Sequence, residues 1–125
     1  MPLAYWCVLI AALMPIALVA YAKSGSRDNH HPRDAASSLS GARRRAYAAH
    51  QNAYENFPFF AAAVLVAITQ GAPVSTVNIL AAIYIVLRGL HGVFYINDAA
   101  TARSAAYALA LLANIAIFVL PAFGP

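Results

Sequence analysis

The sequence predicts an all-α integral membrane protein, built as a bundle of four transmembrane helices. Hydrophobic residues make up 62% of the 125-residue chain and charged residues only 10%, and one soluble core of this size cannot bury so much apolar surface. The apolar residues also fall into four long runs, each long enough to cross a hydrocarbon layer of roughly 30 Å. The net charge of +4 comes from clustered residues, which favours a membrane orientation signal over a nucleic-acid partner.

The predicted spans cover residues 2–22, 42–70, 75–97 and 99–121, in one domain over residues 1–125. The first lacks the basic start of a signal peptide and exceeds the usual length of its apolar region, so we interpret it as a retained helix. The second would be about 43 Å long at about 1.5 Å per residue, so its polar N-terminal end is expected to project toward water. Pro58 within this span predicts a kink.

Residues 23–41 are rich in Ser, Asp, Gly and Pro and are predicted to form a polar loop. The connection between the second and third spans has no Lys or Arg, whereas this loop and its borders carry Lys23, Arg27, Arg33, Arg43, Arg44 and Arg45. The positive-inside rule places the loop in the cytoplasm and both termini on the opposite side. His30 and His31 lack further ligands at a suitable spacing, so we expect no metal site.

Each of the last three spans carries a stripe of polar residues on one helical face, counted at about 100° per residue. The stripes are Arg45, Ala48, Asn52 and Glu55; Tyr84, Arg88, His91 and Tyr95; and Arg103, Tyr107 and Asn114, with Ser104 at the edge of the last. An ionisable residue at mid-membrane costs roughly 2.5–3.5 kcal/mol on insertion scales. We therefore expect the stripes to face one another or a neighbouring chain.

Two interpretations of these stripes compete. In the first, buried ion pairs, chiefly Glu55 with Arg88, fix the register of the helices. In the second, the excess of Arg45, Arg88 and Arg103 over Glu55 attracts an anion, and arginine suits a carboxylate because it donates two parallel hydrogen bonds. The second interpretation predicts a small cytoplasmic ligand with several carboxylates. A small transporter is a weaker third alternative, because no pair of broken helices is visible.

The stretch HQNAYENFPFF, which follows an arginine-rich helix start, resembles the signature of the MAPEG family (membrane-associated proteins in eicosanoid and glutathione metabolism). That pattern has a His, an Asn two residues later and a Glu three residues further, then an apolar-proline-aromatic run. The matching residues are His50, Asn52, Glu55 and Asn56-Phe57-Pro58, followed later by Arg88, His91, Tyr95, Arg103-Ser104 and Tyr107. The resemblance covers essentially the whole chain and is to the bacterial-type members.

The resemblance implies a left-handed four-helix bundle that assembles as a homotrimer, in a bacterial inner membrane. It also implies that glutathione binds between subunits near the cytoplasmic side and reacts, as a co-substrate, with a lipophilic small molecule from the lipid. By this resemblance the glutathione-binding residues are Arg45, Asn52, Glu55, Arg88, His91, Tyr95 and Tyr107. Arg103 and Ser104 would lie near the thiol, where a guanidinium favours the nucleophilic thiolate. The implied activity is that of a glutathione transferase or peroxidase.

One position departs from the family pattern. Many catalytic members carry an arginine two residues before the histidine, where this chain has Ala48. Arg44 or Arg45, one turn earlier, is a candidate to replace that arginine. The alternative is a non-enzymatic protein of the same fold, whose stripes bind an anionic lipid headgroup or only lock the assembly. His50 points away from the stripe and is expected to serve packing or a helix–helix hydrogen bond.

Overall fold

The computed structural model describes residues 1–24, 30, 31 and 34–124. These residues form four α-helices, α1 (Leu3–Ala22), α2 (Gly41–Thr69), α3 (Val74–Ile96) and α4 (Ala100–Val119). Two short 3-10 helices, Asp34–Ser38 and Leu120–Phe123, accompany them. The predicted all-α, four-helix bundle is confirmed. Arg27 and Arg33, which contributed to the predicted orientation signal, lie outside the described residues.

Among the described residues, three helices are long and apolar enough to cross a membrane: α1, α3, and α4 with its extension to Phe123. Helix α2 differs because its two halves have opposite character. Arginines and amides occupy its first half, whereas the half after Pro58 is apolar. Large apolar side chains such as Leu9, Ile79 and Leu112 are exposed on the other helices, as expected for surfaces that face lipid or another subunit.

Helices α1 and α3 run parallel and pack against each other. Near one end, the backbone N–H of Ala4 donates a hydrogen bond of 2.9 Å to Oδ1 of Asn78. Three to four turns later, Leu18 lies against Gly92. This Asn78 contact satisfies an N–H in the first turn of α1, which has no partner within its own helix, and fixes the level of α1 relative to α3.

Helix α2 runs antiparallel to α3, and one arginine joins the start of the former to the end of the latter. Nε of Arg45 donates a hydrogen bond of 2.9 Å to the carbonyl of Ile96, the last residue of α3. Carbonyls in the last turn of a helix lack intrahelical partners and attract cations. The chain then turns sharply at Asp98, whose φ of 59° is uncommon for a residue other than glycine. This connection fixes where α4 begins.

The core lies among all four helices and is built around one aromatic stack. The rings of Phe60 and Tyr84 are nearly parallel, with centroids 4.0 Å apart, and both side chains are buried. Around them the core is rich in small residues: Ala63, Ala67, Ala81 and Ala110. Small residues let membrane helices approach closely, which matters because lipid supplies no hydrophobic force between them.

We predict that Phe60→Ala destabilises the bundle by about 3 kcal/mol, the lower end of the range for a buried Phe→Ala change, since the substitution leaves a cavity beside Tyr84. Phe59→Ala is the matched control, because Phe59 is the adjacent residue and is 38% exposed. The measurement is unfolding of each purified variant in detergent. Equal losses of stability for the two variants would contradict the assignment of the stack as the centre of the core.

Candidate functional site

Three helices converge to form a polar pocket in the half of the bundle next to the first loop. The pocket has a volume of about 260 Å³. It lies where the middle of α2 faces the end of α3 and the start of α4. Its lining residues are Asn52 from α2, His91 and Tyr95 from α3, and Arg103, Ser104 and Tyr107 from α4. Residues from the three predicted stripes therefore do meet within one chain.

The wall of the polar pocket is held by a hydrogen bond between α3 and α2. Nη2 of Arg88 donates to Oδ1 of Asn52 over 2.7 Å, a short distance typical of a charge-assisted bond. Nδ2 of Asn56 also donates to this oxygen over 3.2 Å and to the Asn52 carbonyl over 2.8 Å. Arg88 is only 6% exposed, so this bond forms where water does not compete.

The expected ion pair between Glu55 and Arg88 is absent from the structure. Within the part of the chain that is described, Arg88 contacts the amide of Asn52 instead, and Glu55 is exposed. The reason is rotational: three residues turn a helix by about 300°, so Glu55 lies about 60° away from Asn52 around α2. That offset is enough to turn the carboxylate away from α3.

Aromatic rings surround the side of the pocket where Arg103 lies. His91 is 3% exposed, and its ring lies edge-on to Tyr95 at 5.7 Å and tilted to Tyr107 at 6.1 Å, measured between centroids. The guanidinium carbon of Arg103 lies 4.5 Å from the centroid of the Tyr95 ring, within the range of a cation–π contact. Tyr95 thereby fixes the position of the positive charge at the rim of the pocket.

Ser104 follows Arg103 in the second turn of α4 and is exposed toward the pocket. The backbone N–H of Arg103 is bonded to the carbonyl of Ala99 over 2.9 Å, so both side chains project from a regular helix start. The N-terminal end of a helix carries a partial positive charge. The guanidinium, the hydroxyl and the helix end therefore all favour a negatively charged atom at this side of the pocket.

Three of the predicted site residues do not line the polar pocket. Arg45 lies about 10 Å nearer the loop than Asn52, at about 1.5 Å per residue, and is bonded to Ile96. Glu55 faces outward. Arg88 does not line the pocket and donates a hydrogen bond to Asn52, which does. Helical spacing assigned these residues to the same predicted stripes as the lining residues, but their levels and exact angles differ from those of the lining residues.

Asn56 helps to hold Asn52 at the wall of the pocket, a role that the sequence interpretation missed although the spacing of the two residues indicates it. Amides four residues apart on a helix lie within hydrogen-bond reach, which is the spacing between Asn52 and Asn56.

His50 has the packing environment expected for it: it is buried, it pairs with the carbonyl of Tyr47, and its ring contacts those of Tyr47 and Tyr54. In the described residues, no group of three or more His, Cys, Asp or Glu side chains is placed to hold a metal ion.

A double-mutant cycle on Asn52→Ala and Arg88→Met tests whether the bond between α2 and α3 stabilises the fold. We predict a coupling free energy of about 1.5 kcal/mol or more, the range for a hydrogen bond to a charged group. Unfolding in detergent measures it, and Gln51→Ala serves as the control because Gln51 is an exposed neighbour. Strictly additive single and double variants would show that the contact contributes nothing.

The comparisons with known proteins agree with this architecture. Residues 3–123 match the model of the MAPEG family, which is nearly the whole chain. No curated protein and no solved structure matches the chain significantly. The family is a group of four-helix membrane bundles that includes glutathione-dependent transferases and peroxidases. The chain, whose described residues include three helices apolar enough to span a membrane, is therefore an integral membrane protein that belongs to the MAPEG family.

Proposed function

We propose that the protein binds glutathione in the polar pocket and activates its thiol for attack on a lipophilic electrophile, as a glutathione transferase or peroxidase. The observation that carries this proposal is the position of Arg103, which is held over Tyr95 beside the Ser104 hydroxyl at the pocket. This arrangement presents a fixed cation and a neutral donor to the same small volume.

The charge of the pocket supports an anionic ligand. None of the described residues that line it is acidic, whereas Arg103 contributes a permanent positive charge. Tyr95 and Tyr107 add hydroxyl donors, and Asn52 adds an amide. Glutathione carries two carboxylates and a thiol, so its negative groups match the donors available.

The chemistry proposed for Arg103 and Ser104 is stabilisation of the thiolate. The guanidinium favours the charged form of the sulfur, and the hydroxyl donates a hydrogen bond to it. In a transferase reaction, the sulfur lone pair forms a bond to the electrophilic carbon while the leaving group departs with the bonding electrons. The proton of the thiol is released to solvent on the loop side. The electrophile reaches this sulfur from the lipid, where apolar molecules concentrate.

Arg88 is proposed as a positioning residue rather than as a direct contact for glutathione. Its bond to Asn52 holds the amide at the wall of the pocket, and Asn56 supports it from the same helix. The side chain of Asn52 is thus fixed before the ligand arrives. A group held in place before binding loses less conformational entropy when the ligand is bound.

One chain supplies only part of the proposed site. The pocket volume of about 260 Å³ falls below the range of roughly 300–1,000 Å³ for small-molecule sites. Glu55 does not line the pocket and is exposed, so its carboxylate can reach a neighbouring subunit. We propose a homotrimer in which the glutathione site is completed between subunits, with the Glu55 carboxylate accepting from the ligand's amino group.

The pocket lies in the half of the bundle that adjoins the first loop, whose borders carry Lys23, Arg43 and Arg44. By the positive-inside rule these residues are proposed to lie on the cytoplasmic side of a bacterial inner membrane, with both termini opposite. That orientation gives the pocket access to glutathione in the cytoplasm.

A second candidate function is a non-enzymatic membrane protein of the same fold. It is favoured by Ala48, a half-buried residue at the position where catalytic relatives often carry arginine. A pocket with one arginine fewer binds a tripeptide dianion less firmly, since each charged hydrogen bond contributes about 1.5–3 kcal/mol. Such a protein would bind an anionic lipid headgroup or use its polar contacts only to lock the assembly.

The decisive experiment is a titration of the detergent-purified protein with glutathione, monitored by the ultraviolet absorbance of the thiolate. We predict a thiolate signal in the wild type, its loss in Arg103→Ala because the adjacent cation is removed, and partial recovery in Arg103→Lys. Conjugation of an aryl halide should follow the same order.

Arg43→Ala is the matched control, because Arg43 is an exposed arginine at the start of α2, well away from the polar pocket. It should keep the wild-type thiolate signal. A wild-type protein that gives neither a thiolate signal nor a conjugate would favour the non-enzymatic alternative. Equal signals in the wild type and Arg103→Ala would overturn the role of Arg103.

A further inference from the structure

A basic and aromatic surface lies where the end of α1 meets the start of α2. Nζ of Lys23, the residue that follows α1, lies 5.6 Å from the centroid of the Tyr47 ring, within the range of a cation–π contact. Arg43 lies one turn before Tyr47 on the same face of α2, because residues four apart on a helix are neighbours. The two helices therefore place a lysine and an arginine beside the same tyrosine.

Aromatic rings continue this surface along α2, away from the loop. Tyr54 follows Tyr47 two turns later on the same helical face and is 51% exposed. The buried ring of His50 contacts both, with centroids 4.5 Å from Tyr47 and 5.7 Å from Tyr54. The two tyrosines therefore form a strip whose inner edge is anchored in the bundle by His50.

Helix α1 forms the other side of the surface and carries an apolar residue at the level of Tyr54. Ile16 precedes Lys23 by seven residues, which is close to two full turns, so both lie on one face of α1. Because α1 and α2 are antiparallel, seven residues back from Lys23 correspond to seven residues on from Tyr47. Ile16 is 51% exposed and lies about 10 Å deeper than Lys23, at about 1.5 Å per residue.

The surface crosses the boundary between lipid headgroups and hydrocarbon. Lys23 directly follows α1, which is apolar enough to span a membrane and has no charged residue. Tyrosine is enriched at this boundary, where its ring contacts apolar chains and its hydroxyl reaches the headgroups. The basic end of the surface therefore lies at the level of the lipid phosphates, and Ile16 and Tyr54 lie at the level of the acyl chains.

The positive charge of this surface calls for a negative partner. Arg43 is exposed, and among the described residues no acidic side chain forms an ion pair with it. Helix α1 has no acidic residue, and the single one of α2, Glu55, lies about 100° around that helix from Tyr54. The chain has eight Lys and Arg but four Asp and Glu, so a second copy of the chain offers little counter-charge.

We propose that this surface binds a phospholipid with a negatively charged headgroup. Its phosphate lies between Lys23 and Arg43, and one of its acyl chains lies along Ile16 and Tyr54. A guanidinium suits a phosphate because it donates two parallel hydrogen bonds. A headgroup that also carries an ammonium, such as that of phosphatidylcholine, brings a positive charge next to these two cations and binds less tightly.

This lipid site is independent of the proposed glutathione chemistry. None of its residues lines the polar pocket, whose share of α2 is Asn52. Asn52 lies about 160° around α2 from Tyr54, counted at about 100° per residue. Loss of the lipid site should therefore leave activation of the thiol unchanged.

Native mass spectrometry of the full-length protein, titrated in detergent with phosphatidylglycerol or phosphatidylcholine, measures the affinity for the first bound lipid. We expect the wild type to bind phosphatidylglycerol at least about fivefold more tightly, the effect of one Lys or Arg beside an anionic lipid surface. Arg43→Ala and Lys23→Gln should each weaken binding of phosphatidylglycerol by about the same factor. Arg43→Lys, which keeps the charge, should weaken it less.

Arg44→Ala is the matched control, because Arg44 is the next residue, is also exposed, and reaches the carbonyl of Ala36 over 3.5 Å. It lies about 100° away around α2 and should bind phosphatidylglycerol as the wild type does. Equal weakening in Arg43→Ala and Arg44→Ala would show a diffuse attraction and overturn the proposal.

Two further outcomes would also overturn it. Competition by inorganic phosphate would assign the surface to a soluble anion, and equal affinities of the wild type for the two lipids would be expected if a second copy covers the surface. A glutathione titration of Arg43→Ala should give the wild-type thiolate signal, which separates failure of this proposal from failure of the proposed enzyme function.

Discussion

A buried positive charge on α3 must be accommodated in a bundle that lies in lipid, and the Arg88–Asn52 hydrogen bond is how the chain does so. The cost of an unsatisfied guanidinium in this setting is high, so α2 must present an acceptor at that level. This requirement accounts for the amides of Asn52 and Asn56 on α2 at the level of Arg88.

The remaining polar contacts place the chemical groups relative to that bond. Arg45 ties the start of α2 to the end of α3 through the Ile96 carbonyl, which sets the level of both helices. The left-handed turn at Asp98 then brings α4 back so that Arg103 lies over Tyr95. The position of the Arg103 guanidinium at the pocket is therefore set by the end of α3, the start of α4 and the tight turn between them.

The sequence predicted the helices and the inward polar stripes because apolar runs and helical spacing depend only on local geometry. It did not predict that Arg88 pairs with Asn52 rather than Glu55, because spacing along α2 gives the angle between these two side chains but not which of them α2 turns toward α3. That orientation follows from contacts between residues far apart in the chain, such as Arg45 with Ile96.

We propose that Arg103 recognises the negative charge of the glutathione sulfur, and equilibrium binding of two glutathione analogues tests this proposal directly. Glutathione sulfonate carries a permanent negative charge at the sulfur, and ophthalmate has a methyl group in place of the thiol. We predict that the wild type binds the sulfonate at least about tenfold more tightly, the effect of one charged hydrogen bond, and that Arg103→Ala binds both equally. Equal affinities for the two analogues in the wild type would contradict this assignment of the polar pocket.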